Sequence, residues 1–90
     1  MYEWDEAKNR QNLQKHGISL EEACRIFDDR VLSWADTRID YGETRMISVG
    51  LIHRQIAVVV VHTEREGRKR IISARLTYRR ERRLYDEHHG

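Results

Sequence analysis

The chain has no proline and one cysteine among its ninety residues, and each shortage closes off possibilities. Without proline, turns must rely on Gly, Asn and Asp. Cys24 has no partner for an intramolecular disulfide, and a small domain without that staple fits a reducing compartment, read here as the cytoplasm. No stretch approaches the roughly 18 apolar residues of a membrane span. The opening "MYEWDEAKNR" carries charge by position 3 with no apolar run behind it, which argues against a secretory signal. Repeats, low-complexity segments and linkers are also missing. A chain this short encloses one hydrophobic core, so a single soluble domain over residues 1–90 is expected.

What the chain does have is charge, unevenly placed. Residues 65–83 hold nine Arg or Lys against Glu66 and Glu81, a net of +7, while the rest holds eight basic and thirteen acidic residues, a net of −5. The formal total of +2 hides this two-sidedness. A polyanion is the natural guest of the basic part.

Local signals predict an α+β domain. "YEW" reads as a short edge strand. Asp5 is a carboxylate N-cap for a helix through "EAKNRQNLQKH", with Lys15 and His16 in its last turn and Gly17 as a left-handed stop. Ser19 and Glu22 form a capping box for a second helix with Leu20, Ala23, Cys24 and Phe27 at helical spacing. From "VLSWAD" onward the period becomes that of strands, through "TRMISVG" and "QIAVVVVHT", whose four consecutive valines suit a central strand buried on both faces. "EREG" is a tight hairpin leading into "RKRIISAR", and Thr77 caps a final helix, "YRRERRLYDE". The expected order is two helices, an antiparallel meander of three to five strands, and a C-terminal helix.

The hairpin predicts cross-strand neighbours. With Glu66 and Gly67 as a two-residue turn, Arg65 faces Arg68, His62 faces Ile71, Val60 faces Ser73 and Val58 faces Arg75. One sheet face then gathers His62, Ser73 and Arg75, whereas a one-residue bulge would send His62 and Arg75 to opposite faces. On the final helix, Tyr78, Glu81 and Tyr85 form an inward stripe, and Arg79, Arg82 and Arg83 form the opposite one. Like charges four apart, such as Arg79 and Arg83, cost about 0.2–0.5 kcal/mol in a helix. Something outside the helix should therefore stabilise them: the phosphates of a nucleic acid, or carboxylates of this protein or a partner. Lys8, Lys15 and His16 are most simply read as helix solvation and dipole compensation, although a second basic site on the first helix stays open. Trp4, Trp34 and Phe27 are expected in the core, and Cys24 as an inert buried thiol. His88 and His89 lack further ligands nearby, so no metal site is expected there.

The segments "WDEAKNRQNLQKHGISLEEACRIFDD", "GETRMISVG", "VVVVHTEREG" and "RIISARLTYRRERRLYDE" resemble the BrnT family of bacterial type II toxins, in order and spacing, over nearly the whole chain. The pattern is departed from at Glu6, where many relatives have proline, an optional residue at a helix's first position. The resemblance implies a RelE-like ribonuclease fold and a cytoplasmic endoribonuclease that arrests growth by cutting RNA. It also implies neutralisation by a BrnA-type antitoxin with a ribbon-helix-helix domain, in a two-plus-two assembly that reaches operator DNA through the antitoxin. Its motif positions fall on Trp4, Lys8, Asn12, Lys15, His16 and Gly17, and then on His62, Thr63, Arg65, Arg70, Ser73, Arg75, Glu81 and Tyr85.

RNA cleavage without a metal needs a base for the 2′-hydroxyl proton, an acid for the departing 5′-oxygen and cations for the charged phosphorane. No dense Asp/Glu/His cluster suggests a metal, so a metal-free route with no cofactor is expected. In this reading His62 is base or acid, and Arg75 and Arg79 hold the scissile phosphate. Arg65, Arg70 and Arg82 guide the strand, and Tyr78 or Tyr85 stacks on a base or donates a proton. Two other classes compete: a non-catalytic nucleic-acid-binding module, and an adaptor whose arginines dock an acidic antitoxin.

Overall fold

The computed structural model describes residues 1–37 and 42–89. In chain order the elements are β1 (Tyr2–Glu3), α1 (Glu6–His16), α2 (Leu20–Ala23) running into a 3₁₀ segment (Cys24–Asp28), β2 (Leu32–Asp36), β3 (Arg45–Ile52), β4 (Ile56–Arg65), β5 (Arg68–Leu76) and α3 (Arg79–His89). The strands form one sheet in the order β1-β5-β4-β3-β2. The α+β class is as expected, but the sheet is mixed: β1 pairs parallel to β5, through Tyr2 with Lys69 and Glu3 with Arg70.

The start and stop of α1 follow its local signals. The Asp5 carboxylate accepts from the backbone N–H groups of Ala7 and Lys8, and Gly17 sits at φ 73° with its N–H on the Leu13 carbonyl. The second helix is shorter than its spacing suggests. Ser19 Oγ accepts from Glu22 N–H at 3.0 Å, but the Glu22 carboxylate turns to Arg25 and His53 instead of closing the capping box. After one turn the backbone tightens into the 3₁₀ segment, whose three-residue repeat stacks Ala23 and Ile26 on the sheet, both fully buried. Ile26 comes so close to β3 that a Cβ placed on Gly50 would lie 2.7 Å from its own Cβ.

The four valines of β4 behave as a strand buried on both sides. Val58 and Val60 join Leu20, Ile26, Ile52, Ile71 and Ala74 beneath the N-terminal helices. Val59 points the other way, into a smaller cluster with Val49 and Tyr85 of α3. Each fully buried valine contributes on the order of 1.5–3 kcal/mol of burial. The β4–β5 hairpin turns at Glu66 and Gly67, both at positive φ, with Arg65 opposite Arg68 and His62 opposite Ile71 as expected.

Beyond that point the register departs from expectation. Val61, not Val60, pairs with Ser73, and Val59, not Val58, pairs with Arg75. Between the Val61–Ser73 and His62–Ile71 pairs β5 holds one extra residue, Ile72, a bulge that inverts the facing of the strand residues beyond it. His62 and Ile71 face the N-terminal helices; Ser73 and Arg75 face the side that α3 partly covers. The final helix begins one residue later than expected, at Arg79, because Tyr78 takes the N-cap place: its carbonyl accepts from Arg82 N–H and its own N–H is held by the Glu81 carboxylate.

Candidate active site

The bulge in β5 decides which residues share a cleft. Past Ile72 the strand presents Ser73 and Arg75 on the face lined by Trp34 of β2, Ile47 of β3 and Val59 and Val61 of β4. The start of α3 brings Tyr78 and Glu81 to one side of this floor, and the end of β2 brings Asp36 and Thr37. Lys15 and His16, in the last turn of α1, complete the wall of a cleft of about 710 Å³. Helix α1 is held there by Asn12, which is buried against the edge of β5. Its Nδ2 donates to the carbonyls of Ala74 (2.8 Å) and Ile18 (2.9 Å), and its Oδ1 accepts from Ala74 N–H (3.1 Å).

Arg75 is the most constrained cation of the cleft. Its two terminal nitrogens meet the two oxygens of Glu81 at 2.8 and 2.7 Å, and Nη1 also donates to the Leu76 carbonyl at 3.2 Å. Its guanidinium carbon lies 4.2 Å from the centre of the Tyr78 ring. Glu81 Oε1 additionally accepts from Tyr78 N–H at 2.7 Å. The hydrogen bonds from Arg75, then the backbone bond, hold the Glu81 carboxyl below the ordinary carboxylate range against the opposing effect of burial.

The other residues expected at the site lie elsewhere. His62 is on the opposite sheet face, 3% exposed, with Nε2 2.7 Å from Ser48 Oγ and its ring edge-on to Phe27 at 5.1 Å. Burial, reinforced by the Lys69 cation, pushes its pKa down to about 4. Tyr85 is 6% exposed under α3, its hydroxyl donating to the Arg30 carbonyl at 3.2 Å. Arg65 pairs with Glu43 at the hairpin, Arg70 with Glu3 of β1, and Arg82 with Asp86 on its own helix. Arg79, Arg82 and Arg83 line a shallow groove on α3, apart from the main cleft.

The expected single cradle of arginines therefore does not form. Of the residues assigned to the site from sequence, the cleft brings together Arg75 and Tyr78 and adds Lys15 and His16, for which compensation of the helix dipole is a sufficient local explanation. The sequence signal that points to them is their place at motif positions of the resemblance. Among the described residues no group of three or more His, Cys, Asp or Glu is arranged to hold a metal ion, and no helix is long and apolar enough to cross a membrane.

A histidine, a lysine and an arginine around an open cleft beside an exposed tyrosine form a set suited to a ribose-phosphate chain. Comparison with known proteins agrees with that chemistry. The sequence matches the family described as the ribonuclease toxin, BrnT, of type II toxin-antitoxin systems, over residues 4–81. The fold is similar to that in the 1.1 Å crystal structure of the Brucella abortus ribonuclease toxin, BrnT, with a TM-score of 0.65 at 23% identity, covering 88% of this chain and 99% of that one. No curated protein matches the sequence. Because the match spans α1, strands β2 to β5 and the Arg75–Glu81 pair, the chain belongs to the BrnT family of type II toxin-antitoxin ribonuclease toxins.

Proposed function

We propose that this chain is an endoribonuclease whose working cleft is the one between α1, β5 and the start of α3. The observation that carries the proposal is the convergence of Lys15, His16, Arg75 and Tyr78 on one 710 Å³ hollow. His16 takes the proton of a ribose 2′-hydroxyl, histidine being the side chain that exchanges protons near neutrality. The 2′-oxygen then bonds to the adjacent phosphorus, and the bond to the 5′-oxygen breaks. That oxygen takes its proton from water admitted by the open cleft, leaving a 2′,3′-cyclic phosphate and a 5′-hydroxyl. Lys15 and Arg75 stabilise the charge that gathers on the non-bridging oxygens.

This assignment moves the acid–base role from His62 to His16. A ring that is 3% exposed on the far side of the sheet cannot reach a polymer. The reaction is proposed to run without metal or cofactor, since the cleft's proton carrier is an imidazole and its charge carriers are cations. As a member of a RelE-like class of toxin, the protein would act in the cytoplasm, cutting RNA to halt translation and growth. Its inhibitor would be a BrnA-type ribbon-helix-helix antitoxin in a two-plus-two complex, with operator DNA reached through the antitoxin.

The test is incubation of the purified protein with a single-stranded oligoribonucleotide in EDTA, with products read by mass. Cyclic-phosphate ends that disappear in His16→Ala and Arg75→Ala proteins of unchanged circular dichroism are the expected result. Intact RNA after long incubation, with binding retained, would leave the non-catalytic binding module; no affinity for RNA at all would leave the antitoxin-docking adaptor.

A further inference from the structure

We infer that Glu81 is a positioning residue that acts through Arg75, clamping its guanidinium against Tyr78 to build a preformed stacking platform for one unpaired nucleobase. The inference rests on the ribonuclease reading above and names its substrate class: RNA with a single-stranded nucleotide at the cleft.

Three contacts close a small circuit. The Glu81 carboxylate takes both terminal nitrogens of Arg75 and also the backbone N–H of Tyr78. Arg75 lies in turn against the Tyr78 ring at 4.2 Å. One carboxylate thus fixes the main chain that carries the ring and the cation that backs it. Without the clamp, a tyrosine that is 67% exposed would sample several rotamers. With it, one ring face is backed by a planar cation and the ring stands at the cleft wall. An aromatic face already ordered binds a base without the loss of freedom that ordering it would entail.

The geometry also argues against Glu81 as a proton carrier. Both its oxygens are engaged by donors, and the same bonds hold its carboxyl below the usual carboxylate range. The substrate class is set by the ring. Bases inside an A-form duplex present no open face, so a platform of this kind selects a nucleotide free of pairing. Because every base has such a face, the platform tolerates any of the four.

The experiment is steady-state cleavage of an oligoribonucleotide carrying 2-aminopurine at the scissile nucleotide, whose fluorescence is quenched on stacking. Wild type, Tyr78→Ala, Glu81→Ala, Glu81→Gln and the Tyr78→Ala/Glu81→Ala pair are compared. Each single alanine change is expected to raise KM about tenfold and to remove the quench. In the Tyr78→Ala background, Glu81→Ala should add no further loss of KM. Glu81→Gln, which keeps an acceptor for Tyr78 N–H and so guards against loss of the helix start, should recover part of the KM. The pH–kcat profile of Glu81→Ala should keep the shape of the wild-type curve. Multiplying KM losses in the double variant, a vanished limb in the pH profile, or equal cleavage of duplex and single strands would each overturn the inference while leaving the ribonuclease reading intact. Uncut RNA with the wild-type protein would instead overturn that reading and this inference with it.

Discussion

The side chain of Asn12 satisfies both backbone groups of Ala74, donating to its carbonyl at 2.8 Å and accepting from its N–H at 3.1 Å. A helix residue thereby stands in for the neighbouring strand that β5 lacks at this point, and the end of α1 that carries Lys15 and His16 is pinned to the sheet. Replacement by alanine leaves two buried groups of Ala74 and the Ile18 carbonyl without this partner, a loss of about 3 kcal/mol. For a domain of this size that corresponds to a fall in Tm of roughly 10 °C or more, measurable by calorimetry. Asn12→Asp should be at least as harmful, because a carboxylate oxygen would then oppose two carbonyls.

His62 predicts how stability responds to acid. Its folded pKa is pushed down to about 4 by burial, from an ordinary value of 6.5. The unfolded chain therefore binds the proton more readily, and stability is complete above about pH 6.5 and declines as pH falls toward 4. The protonated ring would need an acceptor at Nδ1, which has none among the described residues. The full effect is about 3 kcal/mol. Urea midpoints between pH 7 and pH 4.5 should fall in the wild type and stay flatter in a His62→Gln protein. Glu64 and Glu81, whose carboxyls are held low by Lys69 and Arg75 first of all, should add their losses only below about pH 4.5. A wild-type midpoint that does not move across the histidine window would refute the assignment.

Much of this fold is written in short-range signals. Asp5 and Gly17 bracket α1, and Glu66–Gly67 sets the hairpin and its first pairs, because caps and tight turns depend on a few adjacent residues. The bulge at Ile72 is not legible in that way. "RIISAR" holds two isoleucines in succession, and which of them faces the N-terminal helices is decided by Leu20, Ile26 and Val60, far away in sequence. That single inserted residue separates His62 from Arg75 and so moves the candidate acid–base group from a strand to the end of α1. The arginines are hard to place from sequence for a related reason: Glu3 and Glu43, which engage Arg70 and Arg65, lie 67 and 22 residues from them.

Gly50 should tolerate no side chain. An added Cβ would stand 2.7 Å from Ile26 Cβ and 3.3 Å from the Ile26 carbonyl oxygen, so the 3₁₀ segment would have to move off the sheet. Overpacking of this kind costs typically about 1–3 kcal/mol. Gly50→Ala is therefore expected to lower the urea midpoint without changing the slope, and Ile26→Ala made together with it should return none of the loss, since alanine keeps the Cβ and carbonyl that the new methyl meets. Recovery of the midpoint in the double variant would place the strain on the outer part of the Ile26 side chain instead.

The exposed cations of α3 allow a measurement of where the RNA runs. Arg79, Arg80 and Arg83 are exposed, and Arg79 directly succeeds Tyr78, so a strand stacked on that ring would continue along the helix. On single strands each neutralised phosphate contributes about 0.7 to the slope of log K against log salt. Replacing all three arginines by glutamine should reduce that slope by about 2 in anisotropy titrations with a non-cleavable 2′-deoxy-substituted strand. Base stacking at Tyr78 should persist, because the Arg75–Glu81 clamp is untouched by the substitutions. If the slope stays at the wild-type value, the RNA leaves the cleft in another direction, and the stripe is then free to meet the carboxylates of a partner protein.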